Sequence, residues 1–89
     1  MCNIRPEEIF GTIIRDVRNQ KSISQEELSR KTGLDRSFLS QIETGKKSPS
    51  LSTILKLSKA FDINISDLMK KFETLYVKMI SEEEDNNVD

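Results

Sequence analysis

The chain has no histidine, a single cysteine and no long apolar run. Without an imidazole, histidine-based acid–base catalysis and ordinary Cys/His zinc sites are excluded. Cys2 alone excludes an internal disulfide and gives no sign of secretion, so it reads as an inert thiol in a mobile end. No stretch approaches the ~20 apolar residues that a bilayer span requires. The opening "MCNIRPEEIF" has no signal-peptide core. There is no cluster of metal ligands, no phosphate-cradling glycine loop and no nucleophile beside a base, so an enzyme has no footing and no cofactor is implied. Period-2 runs of β-branched residues are missing, as are Asn-Gly and Asp-Gly turns, which removes the case for strands. There is no internal repeat. What remains is one soluble, cytoplasmic, all-α domain of 89 residues, with no membrane segment. A core this small needs tightly packed helices or a partner copy.

A basic excess is also missing, since the net charge is −1. The average conceals an asymmetry. Residues 1–81 hold all 14 Lys and Arg against ten acids, which is +4, and residues 30–59 hold seven bases against two acids, which is +5. Glu82, Glu83, Glu84, Asp85 and Asp89 supply the balance. A local positive field, not the chain average, is what a phosphate backbone responds to.

Five helices are predicted. Pro6 suits a first helical turn, Glu7 and Glu8 suit the positive end of the dipole, and Phe10, Ile13, Ile14 and Val17 recur at helical spacing over about 6–20. Gly11, inside that helix, leaves room for a close neighbour. Ser24 and Glu27 form a capping box for a helix at about 25–32, with Leu28 inward, and Gly33 ends it in the left-handed conformation. Asp35 caps a helix at about 36–43, with Leu39 and Ile42 inward, ended by Gly45. Ser50 starts a helix at about 51–61 with Leu51, Ile54, Leu57 and Phe61 on one face. Asn64 with Asp67 caps a last helix at about 65–81. Its stripe of Ile65, Leu68, Met69, Phe72, Leu75, Tyr76, Met79 and Ile80 is longer than one small domain needs. Ile65 and Leu68 should complete the core, leaving Phe72, Leu75, Tyr76 and Met79 for a homodimer interface, the alternative being that the segment folds back on its own domain. Residues 82–89, too charged to pack, are expected as a disordered acidic tail that limits non-specific DNA binding.

Two short helices joined by "TGLD" make a helix-turn-helix, with Leu28, Leu34, Leu39 and Ile42 as the wedge between them. Short helices with glycine stops also occur in unrelated all-α proteins. The combination of Arg18, Ser24-Gln25-Glu26-Glu27-Leu28, Gly33, Ile42-Glu43, Gly45 and Pro49-Ser50-Leu51 is more specific. It resembles the XRE, or phage-repressor, helix-turn-helix family over roughly two-thirds of the chain. Ser29 departs from the family's usual alanine, and Thr32 from its usual apolar residue.

The resemblance implies a non-enzymatic transcriptional regulator that binds double-stranded DNA with its third helix in the major groove. If that helix packs through Phe38, Leu39 and Ile42, its free face is Arg36, Ser37, Ser40, Gln41 and Thr44. Arg36 suits guanine, Gln41 suits adenine, and Ser37 and Ser40 suit either base. A phosphate contact or a solvated side chain is the alternative for Arg36. Gln25, at the start of the second helix, takes the family's phosphate-contacting place. Lys46, Lys47 and Ser48 would hold the backbone beside it. The resemblance also implies a structural salt bridge between Arg18 and Glu43. A homodimer would read an inverted-repeat operator. Compact members include phage-type repressors and restriction–modification controllers. Some contact RNA polymerase through acids on the second helix, a role open to Glu26 and Glu27 but opposed by Arg30. The rival reading is an antitoxin, with the last helix and acidic tail binding a toxin.

Overall fold

The computed structural model describes the backbone of residues 4–86 and the side chains of residues 4–83, so Cys2 and residues 87–89 lie outside the described residues. Five helices follow in order: α1 Pro6–Gln20, α2 Gln25–Thr32, α3 Arg36–Glu43, α4 Leu51–Phe61 and α5 Ile65–Asn86. No strand occurs among the described residues.

Local chemistry accounts for the boundaries. The Ser24 hydroxyl accepts from the Glu27 N–H at 3.0 Å, and the Ser50 hydroxyl accepts from the Thr53 N–H at 3.2 Å. Each of the first four helices is followed by one left-handed residue: Ser22, Gly33, Gly45 and Asp62. In this conformation the next N–H groups reach back to the helix's last free carbonyls. Ile23 N–H thus bonds the Arg18 carbonyl at 2.9 Å, and Lys46 N–H bonds that of Gln41 at 2.9 Å. The glycine stops are visible in the sequence. Ser22 and Asp62 are not, because their side chains disfavour the conformation and so give no local signal for it.

The core gathers Phe10, Ile13, Ile14 and Val17 of α1, Ile23, Leu28 of α2, Leu39 and Ile42 of α3, Leu57 and Phe61 of α4, and Leu68 of α5. Leu34 and Phe38 pack against its margin. Two expectations need correction. Leu51 is 69% exposed, because the inward face of α4 is completed by Thr53 and Ser58, whose hydroxyls bond locally to Ser50 and the Leu55 carbonyl. Phe72 and Leu75 are half-buried against the core of their own domain and each keeps an exposed part, with the Phe72 ring 6.2 Å from that of Phe10 and stacked on Tyr76 at 5.7 Å. Finally, α5 does not stop near residue 81, and residues 82–86 are helical rather than a disordered tail. A highly charged composition does not oppose a helix, since glutamate propagates one well and neither Gly nor Pro intervenes.

One approach organises the bundle. A Cβ on Gly11 would lie 2.2 Å from the Ile42 carbonyl oxygen and 2.6 Å from that of Glu43, so only glycine lets α1 meet the end of α3. Gly45 serves the same contact from the other side, against the backbone of Glu8. The closeness brings Arg18 onto Glu43. Arg18 Nε donates to Oε2 at 2.7 Å and Nη2 to Oε1 at 3.1 Å, while Nη1 donates to the Ile23 carbonyl at 3.0 Å. Gln25 Nε2 donates to the same Oε1 at 3.1 Å. The Arg18 side chain is 14% exposed and that of Glu43 4%.

Such a pair is expensive to desolvate and becomes destabilising when only one partner remains. Arg18→Ala is therefore expected to cost about 3 kcal/mol or more, read as a fall in melting temperature of roughly 12 °C or more. The double variant Arg18→Met with Glu43→Leu should recover most of that loss in urea unfolding. Gly11→Ala should cost about 2 kcal/mol or more despite alanine's better helix propensity; an unchanged melting temperature would show that α1 and α3 can separate freely.

Candidate nucleic-acid interface

Within α3, every third or fourth side chain is buried, so a polar strip is left over. Leu39 and Ile42 are fully buried and Phe38 is half-buried. Arg36, Ser37 and Thr44 are exposed, and Ser40 and Gln41 are half-buried. The structure therefore brings the four expected base-reading residues, Arg36, Ser37, Ser40 and Gln41, onto one side of one helix. The Thr44 hydroxyl is turned back to the Ser40 carbonyl at 3.0 Å.

The turn before α3 is held by two hydroxyls at the positions where the family resemblance was imperfect. Ser29 Oγ donates to the Leu34 carbonyl at 2.5 Å. Thr32 Oγ1 donates to the Leu28 carbonyl at 2.7 Å and accepts from the Leu34 N–H at 3.2 Å. Both polar groups are thus satisfied in a half-buried turn. Asp35 occupies the N-cap position of α3, but its side chain makes no capping hydrogen bond, which corrects the expected cap. Its backbone carbonyl alone starts the helix, accepting from the Leu39 N–H at 3.0 Å.

The phosphate-contact candidates fall into two groups. Lys46, Lys47 and Ser48 are exposed in the loop after α3. The N–H groups of Lys46 and Lys47 both bond the Gln41 carbonyl, at 2.9 and 3.2 Å, which fastens that loop to α3. Gln25 is half-buried, with one amide hydrogen committed to Glu43. Among the described residues, Arg36, Lys46 and Lys47 form no ion pair, so their charge is available to an anion. Glu26 and Glu27 differ, lying 3.5 Å from Arg30 and 3.8 Å from Lys31.

Two features were not legible beforehand. The positive segment 30–59 divides in space, with Lys31, Lys56 and Lys59 lining a separate groove between the end of α2 and α4. Of the segment's seven bases, only Arg36, Lys46 and Lys47 accompany α3. Arg5 was also missed. Its Nη2 donates to the Gly45 carbonyl at 3.3 Å and so ties the start of the described chain to the corner after α3. A lone arginine before a helix gives no sequence signal for such a contact.

A family model described as helix-turn-helix matches residues 14–68. The crystal structure of the restriction-modification controller protein C.AhdI from Aeromonas hydrophila is 42% identical, covers 70% of this chain and 94% of its own, and superposes with a TM-score of 0.67. Control protein C.BamHI of Bacillus amyloliquefaciens is 40% identical over 68% of this chain and 76% of its own. Control protein C.SmaI of Serratia marcescens is 30% identical over 80% of this chain and 84% of its own. The antitoxin reading finds no support in these relatives. No helix among the described residues is long and apolar enough to cross a membrane. With the α2–turn–α3 geometry and these likenesses together, the chain belongs to the XRE-type helix-turn-helix family of DNA-binding transcriptional regulators, which are not enzymes.

Proposed function

We propose that the chain is a sequence-specific cytoplasmic regulator that binds an inverted-repeat operator as a homodimer and controls a restriction–modification system. The observation that carries this reading is the polar face of α3, presented by a helix whose other side is locked to α1 and whose following loop offers Lys46 and Lys47 without acidic partners. Arg36 and Gln41 are the bidentate readers, with Ser37 and Ser40 between them. Gln25, Lys46, Lys47 and Ser48 hold the phosphates on either side. One eight-residue helix spans few base pairs, so two copies about one DNA turn, ~34 Å, apart are needed for a selective site. The controller assignment rests on the likeness to C.AhdI, C.BamHI and C.SmaI. Contact with RNA polymerase through Glu26 and Glu27 is the weaker part, since both acids face cations on their own helix.

Selection of binding sites from random duplex DNA tests the reading and should return an inverted repeat. A single asymmetric half-site, or no enrichment, would sink it. Arg36→Ala should cost about 1–3 kcal/mol and relax specificity at one base pair of each half-site. Lys46→Ala should weaken binding to all sequences alike and lower the slope of log K against log salt by about 1 per monomer. Fluorescence anisotropy across a salt series separates the two behaviours.

A further inference from the structure

The start of α1 brings two acids to the loop that follows α3. Glu7 and Glu8 lie in the first turn of α1, where they suit the positive end of the helix dipole. Glu8 abuts Gly45 so closely that a Cβ on the glycine would lie 2.5 Å from the Glu8 Cγ and 2.8 Å from its Cα. Glu7 lines the same groove as Ser48 and Pro49. Both acids therefore neighbour the segment that carries Lys46, Lys47 and Ser48. Negative charge at that place repels a phosphate backbone and competes with it for the two lysines.

Arg5 answers both acids. Its Nη2 lies 3.5 Å from Glu7 Oε2, and its Nε lies 3.8 Å from Glu8 Oε1. The same Nη2 donates to the Gly45 carbonyl at 3.3 Å, which holds the guanidinium at the corner. Among the described residues, no other cation pairs with either acid. The Arg5 side chain is 57% exposed, so these ion pairs add little to stability. Their consequence is the charge that an approaching anion meets. We infer that Arg5 is a positioning residue for DNA binding, which neutralises Glu7 and Glu8 beside the loop after α3 and so leaves Lys46 and Lys47 to the phosphates. The inference rests on the phosphate-holding role proposed for that loop. It adds a residue that acts through its neighbours and reads no base.

The test is fluorescence anisotropy on the duplex returned by site selection and on a random duplex, with melting temperatures read in parallel. Arg5→Gln removes the charge and keeps an N–H donor for the Gly45 carbonyl. It should weaken binding to both duplexes about three- to tenfold at low salt, and the loss should shrink as salt rises. In a chain that already carries Glu7→Gln and Glu8→Gln, the same change should cost less than about twofold. Arg5→Lys, which keeps the charge, should stay within about twofold of the wild type. Arg5→Gln should move the melting temperature by no more than about 5 °C. An equal loss with and without the two acids would make Arg5 a direct phosphate contact and overturns the inference. Binding unchanged by Arg5→Gln overturns it too, as does a loss that Arg5→Lys shares along with a lower melting temperature. Each of these outcomes leaves the DNA-binding reading standing. A wild-type chain with no salt-dependent binding to either duplex overturns both.

Discussion

The ion pair between Arg18 and Glu43 is the constraint on which the remaining arrangement depends. Glu43 is the last residue of α3, and Arg18 lies in the last turn of α1. Their two hydrogen bonds therefore fix the end of α3 to α1. A buried pair of this kind adds little net stability after desolvation; what it contributes is a unique register. The same carboxylate holds the Gln25 amide, so the start of α2 is fixed by the same group as the end of α3. One buried glutamate thus sets the relative position of two proposed DNA-contacting surfaces.

That arrangement requires backbone proximity, which two glycines provide. Gly11 removes the side chain that would meet the Ile42 and Glu43 carbonyls, and Gly45 does so against Glu8 while also taking the left-handed conformation. Arg5 then closes the corner through the Gly45 carbonyl. At the other end of α3, Ser29 and Thr32 bind the turn through their hydroxyls, where smaller or apolar groups would leave Leu34 with fewer partners. The helix is therefore held at both ends by short polar contacts and along its length by Leu39 and Ile42. Rigidity matters because base readout depends on side chains held in one orientation.

Much of this was legible in the residues. The starts of α1, α2 and α4 and the ends of α2 and α3 follow from Pro6, Ser24, Ser50, Gly33 and Gly45, whose effects are local and independent of what packs nearby. The polar face of α3 follows from helical periodicity alone. The errors share a different origin. Leu51 was assigned inward by periodicity, yet α4 buries Thr53 and Ser58 because their hydroxyls are satisfied within the helix. Asp35 was assigned a capping bond from residue type, but position alone does not set its rotamer. The acids after residue 81 were read as disordered because composition reports packing potential, not backbone propensity.

The sequence by itself determined that the chain is all-α, that α2 and α3 form a helix-turn-helix, and which side of α3 is polar. These follow from caps, stops and periodicities spanning a few residues. Tertiary structure alone decided that Gln25 joins the Arg18–Glu43 pair in one hydrogen-bonded cluster, that Arg5 reaches Gly45, and that the basic segment splits into two separate surfaces. Those outcomes depend on the angles at which helices cross and on how closely their backbones approach. Such distances join residues 18 to 40 positions apart, beyond the reach of any local pattern.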